Sequence, residues 1–67
     1  MEKFIRVKAD SRFRVGMTTF TIDAGTVVRV TAYDHIRHKY LVDFGDRLVD
    51  WFSVDYIDGL FEEVNEP

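Results

Sequence analysis

The sequence contains no cysteine and a single proline, Pro67, which is its last residue. Without thiols neither a disulfide nor a thiolate zinc site can form. The lack of disulfides fits a reducing compartment. No apolar run approaches the roughly 20 residues that a membrane span requires. The opening segment Met1-Glu2-Lys3-Phe4-Ile5-Arg6 has none of the apolar stretch of a signal peptide. The expectation is a soluble cytoplasmic protein without a cofactor. Nucleophiles are equally sparse. Ser11 and Ser53 are the only serines, and neither sits in a Gly-x-Ser-x-Gly elbow, so catalysis is not expected. Repeats and low-complexity segments are absent.

What the chain does have is aromatic bulk. Six Phe, three Tyr and one Trp occur among 67 residues. A chain of this length buries only about 60% of its unfolded surface, and its core contributes on the order of 3–5 kcal/mol net. Rings that each bury about 150–250 Å² must supply most of that core. Charge is divided unevenly along the chain. Residues 1–31 carry six bases against three acids, and residues 32–67 carry three bases against nine acids, within an overall net charge of −3.

Short stretches of alternating hydrophobicity, separated by turn residues, predict an all-β domain over residues 1–64 with a frayed tail at 65–67. In Phe4–Ala9, Ile5, Val7 and Ala9 are expected to face inward. Phe13 and Val15 alternate with Arg12 and Arg14 up to Gly16, and Thr18–Ile22 follows as the next strand. Thr26–Tyr33 is almost entirely β-forming, with Val28, Val30 and Ala32 expected on one face. His38–Phe44 places Tyr40, Val42 and Phe44 together. Gly45-Asp46 reads as a two-residue hairpin turn, and Arg47–Phe52 as the returning strand. Ser53–Asp58 lacks alternation and suits one 3-10 turn before a closing strand at Leu60–Val64. Five or six short antiparallel strands of this kind suit a small barrel, which removes exposed strand edges.

Phe52-Ser53-Val54-Asp55-Tyr56-Ile57 resembles the Phe-Pro-Ser-Asn-Tyr-Val segment of SH3 domains, which forms the 3-10 turn before their last strand. A long irregular first connection and a later tight hairpin extend the likeness over most of the chain. The resemblance implies an SH3-like small barrel with Phe52 and Ile57 in its core. It also implies that Trp51 and Tyr56 stand where SH3 domains present aromatics to a peptide. Ser53 stands where those domains usually have Pro, and Asp50 where they have a small Gly. Ala9-Asp10-Ser11 lacks the tyrosines of their first-strand signature, and no Trp begins the middle hairpin. The resemblance therefore carries the fold and not a proline-rich ligand.

Three binding surfaces are expected from the residues. The leading one is a protein-binding face of exposed aromatics rimmed by acids: Tyr33, Trp51 and Tyr56 with Asp50 and Asp55. Aromatics of this kind are typical interface hot spots, and the acids favour a basic partner. A second copy of the chain is a further possible partner. The alternative is nucleic-acid binding by Phe4, Arg6, Lys8, Arg12 and Arg14, where bases would neutralise phosphates and Phe4 would stack a nucleobase. A third reading is a small phage-type inhibitor whose acidic surface docks on a host enzyme by mimicking phosphates. His35 and His38 lie in one loop near Asp34, a spacing that converges on a helix rather than in a loop, so no metal site is expected there.

Overall fold

Residues 2–65 are described by a computed structural model. Strand β1 (Lys3–Val7) buries Ile5 and Val7 and turns Arg6 outward, as its alternation dictates. It lies between β4 (Val27–Asp34) and β7 (Phe61–Val64), antiparallel to both. Strands β5 (Lys39–Asp43) and β6 (Val49–Ser53) continue the sheet beyond β4, giving the order β6-β5-β4-β1-β7. The chain leaves this sheet once. Between β1 and β4, strands β2 (Ser11–Val15) and β3 (Thr18–Ile22) form a separate hairpin. Its turn is Gly16-Met17, and Gly16 has φ +60°, the conformation that a tight hairpin turn asks of its first central residue.

The described residues are thus mostly β, with seven strands rather than five or six. Among the described residues β2 and β3 pair only with each other, so no continuous ladder closes the two sheets into a barrel. Ring packing joins them instead. Phe13 is only 3% exposed. Its ring centroid lies 4.9 Å from Phe44, 5.8 Å from Phe61, 5.9 Å from Phe52, 6.1 Å from Tyr56 and 6.2 Å from Phe20. Ile5, Val7, Val28, Val30, Tyr40, Val42, Val54, Ile57 and Phe61 complete the buried core.

Four local expectations are corrected. Ala9 lies beyond the end of β1 and is exposed, because the chain bends away at Lys8. Ala32 does not share the face of Val28 and Val30. The β4–β5 register shifts between Val30 and Ala32, and the extra residue, Thr31, reverses the alternation beyond it. Tyr33 then pairs with the buried Tyr40, and Ala32 with Leu41 on the opposite face. The β5–β6 connection is longer than a two-residue turn. Gly45, Asp46 and Arg47 all have positive φ, at 89°, 50° and 67°, and the Phe44 and Leu48 amides close the loop by donating to the Leu48 and Gly45 carbonyls.

The fourth correction concerns the segment after β6. It is a seven-residue α-helix, α1 (Val54–Leu60), and not a 3-10 turn. Ser53 caps it, its Oγ accepting from the Tyr56 N–H at 3.4 Å. Val54 and Ile57 are buried at helical spacing, and Asp55 complements the positive N-terminal end of the helix. Of the expected tail, residues 66 and 67 lie outside the described residues.

Candidate functional site

The hairpin brings two arginines to the edge of the aromatic core. In β2, Phe13 points inward, so its neighbours Arg12 and Arg14 point outward, opposite Thr21 and Thr19. Helix α1 approaches from the other side. Its first turn carries Tyr56, whose ring stacks on Phe52 at 6.4 Å and meets Phe13 edge-on. Arg12, Phe13, Arg14, Thr19, Phe52 and Tyr56 line an open groove of about 510 Å³. Phe13, Phe52 and Tyr56 give it an aromatic lining, and the two arginines border it. Tyr56 remains 47% exposed despite these contacts. Among the described residues neither arginine has a carboxylate partner; the Arg14 Nε donates to the Gly16 carbonyl at 2.9 Å. Among the described residues no histidine or carboxylate lines the groove, which offers apolar contact and positive charge.

The expected aromatic and acidic face is divided among four places. Trp51 is 41% exposed and stands opposite Leu41 on the outer face of the five-stranded sheet, where the bulge also puts Ala32. Tyr33 is on the other face, 5.8 Å from Tyr40. Its hydroxyl lies 3.4 Å from His38 Nδ1, and Asp55 reaches the Nε2 of the same imidazole at 3.7 Å. Tyr33 and Asp55 therefore converge on His38, at a distance from Trp51. Asp50 shares the face of Phe52, and its carboxylate accepts the Trp51 N–H at 2.8 Å. Tyr56 alone of this set lines the groove.

The expected nucleic-acid set is divided as well. Phe4 lies opposite Arg29 and Val64 on the outer sheet face. Arg6 is engaged by Glu62 at 3.0 Å, and Lys8 is exposed beyond the end of β1. Only Arg12 and Arg14 reach the groove. Of its remaining members, Phe13 reads only as an alternating strand residue and Phe52 as core, while Thr19 carries no distinctive sequence signal. They become visible only when the β2–β3 register and the landing site of the hairpin are known.

Among the described residues two titratable groups are shifted by their surroundings, and both lie away from the groove. Burial pushes the Lys3 ammonium down. Its hydrogen bond to the Tyr40 hydroxyl at 3.0 Å and its ion pair with Glu63 at 3.2 Å outweigh that effect and leave the pKa raised. The Asp34 carboxyl is held below its usual value, first by the Arg37 N–H and against a smaller desolvation effect. The Ile36 N–H and the charges of Arg37 and His35 add to the lowering. Asp34 thereby ties down the loop that carries both histidines. Among the described residues no group of three or more His, Asp or Glu side chains converges as metal ligands would. No helix among them is long and apolar enough to cross a membrane. No protein-family model, curated protein or solved structure matches the chain.

Proposed function

We propose that this chain is a non-catalytic protein-binding module on an SH3-like scaffold, and that its site is the groove between the β2–β3 hairpin and helix α1. The scaffold reading is supported by the strand order β6-β5-β4-β1-β7, the hairpin inserted after the first strand and the helical turn before the last. The sequence likeness to SH3 domains lies in Phe52–Ile57, which spans that helical turn. The groove itself carries the functional reading. Its exposed Tyr56 stacks on Phe52, and it is also lined by two arginines that lack a carboxylate partner among the described residues. An aromatic shelf beside charge is the composition of an interface hot spot.

This site retains Tyr56 from the expected aromatic face and Arg12 and Arg14 from the expected basic set. Nucleic-acid binding is the weaker reading, because Phe4 and Arg6 are spent on the outer face and the net charge is −3. The test is capture by the immobilised protein from nuclease-treated lysate, comparing wild type with Tyr56→Ala and Trp51→Ala, each checked by a thermal melt. Wild type and Trp51→Ala should retain a protein partner that Tyr56→Ala loses. A partner released by nuclease, or one lost with Trp51→Ala and kept with Tyr56→Ala, would overturn the assignment.

A further inference from the structure

Strand β2 leaves one edge unpaired, and the direction of its backbone groups can be worked out from its turn. A two-residue Gly16-Met17 turn makes Val15 and Thr18 the closing hydrogen-bonded pair. Antiparallel pairs then alternate, so Ser11, Phe13 and Val15 direct their N–H and C=O groups to β3. Arg12 and Arg14 direct theirs away from it, toward the free edge. Among the described residues nothing accepts from or donates to those outward groups. The edge strand β6 differs. Its Trp51 N–H is already taken by the Asp50 carboxylate. The open backbone edge, two arginines that have no carboxylate partner among the described residues and the aromatic lining therefore coincide at one groove.

We propose, resting on the groove reading above, that the ligand is an extended acidic segment of another protein that adds to β2 as a third strand of the hairpin. Its recognition element is an acid–apolar–acid triplet. Residues directly opposite one another in adjacent strands project to the same face. Ligand residues opposite Arg12 and Arg14 lie on the arginine side, about 6.8 Å apart, the two-residue repeat of a strand. Carboxylates at those positions pair with the two guanidiniums. The residue between them points to the opposite face, toward Phe13, Phe52 and Tyr56, and is apolar. Main-chain hydrogen bonds to Arg12 and Arg14 give the segment its register. A nucleic acid would satisfy the two charges but not the alternating backbone donors and acceptors of a strand edge.

The probe is a synthetic peptide with a Glu-Leu-Glu core flanked by Thr, titrated into the isotope-labelled full chain and followed by amide NMR and hydrogen exchange. Tyr56 and Phe52 resonances should shift, and exchange of the Arg12 and Arg14 amides should slow at saturation. Binding should weaken about tenfold when the two Glu amides of the peptide are N-methylated, and by at least as much with a Lys-Leu-Lys core. The double variant Arg12→Glu/Arg14→Glu should reverse the preference and take the Lys-Leu-Lys peptide. Its exposed substitutions leave the core untouched, and its amide spectrum reports folding directly. Shifts at Tyr56 without slowed exchange at Arg12 and Arg14, or without dependence on charge and N-methylation, would overturn strand addition and leave the groove standing. Binding of an oligodeoxythymidylate in place of the peptide, or shifts confined to the outer face around Trp51, would overturn both readings.

Discussion

Phe13 holds the hairpin to the sheet, and the substitution Phe13→Leu measures how strongly. The side chain is 3% exposed and its ring meets five others within 6.2 Å. Leucine keeps most of the apolar volume but loses every ring–ring geometry. Aromatic pairs are each worth about 0.5–1.5 kcal/mol beyond buried area, and the contributions of mutually contacting rings overlap. With the lost volume at about 0.8 kcal/mol per methylene-sized group, the expected cost is about 2–3 kcal/mol. A domain of this length has roughly 3–10 kcal/mol in total. The midpoint of thermal unfolding should therefore fall by roughly 10–20 °C. Urea and thermal unfolding by circular dichroism read this directly. Met17, at the hairpin tip and 93% exposed, is the control: Met17→Thr should change stability by less than about 0.5 kcal/mol. A loss below about 1 kcal/mol for Phe13→Leu would refute the idea that the ring cluster is what binds the two sheets.

Two further predictions concern the backbone and the Lys3 contact. Arg47 has φ 67° with no partner among the described residues that fixes its side chain. A left-handed conformation costs a residue with a Cβ roughly 1–2 kcal/mol, and the extra chain entropy of glycine returns about 0.4–1 kcal/mol of that. Arg47→Gly should therefore raise stability by about 0.5–1 kcal/mol in urea unfolding, and a decrease would contradict the loop geometry. Lys3 has a folded pKa above its ordinary 10.5. Its contribution is fully present below that value and is lost as the pH rises through the folded pKa. Lys3→Met should be less stable than wild type at neutral pH by about 1 kcal/mol, and the gap should close above pH 10.5. A gap independent of pH would mean that the ammonium contributes packing alone.

Strand positions were legible because period-two alternation reports burial on one face of a sheet, and Ile5, Val7, Val28, Val30, Tyr40 and Val42 are buried as that pattern implies. The failures come from features that alternation cannot encode. A single extra residue at Thr31 reverses the faces of Ala32 and Tyr33 without altering the β-forming character of the run. That reversal separates Tyr33 from Trp51 and dissolves the expected aromatic face. The helix was hidden for a different reason. Val54, Ile57 and Leu60 repeat every three residues over barely two turns, too short a run to distinguish an α-helix from a 3-10 turn. Serine at the cap and aspartate in the first turn favour the longer hydrogen-bonded form.

The groove follows from the size of the chain. A domain with so few residues cannot cover every strand edge with another strand, and this one pairs β2 on one side only. Arginines at alternate positions of an exposed strand are a common way to discourage unwanted pairing. Here the same two arginines line a groove with Tyr56, Phe52 and Phe13, so on the proposed reading the edge would repel basic strands and attract acidic ones. Protection against aggregation and selection of a partner would then come from the same side chains. The consequence is a coupling between stability and binding. Phe13 is at once the anchor of the hairpin and part of the groove lining, so any substitution that loosens it must widen the site. Arg12 and Arg14 are exposed, so their substitution should separate binding from folding.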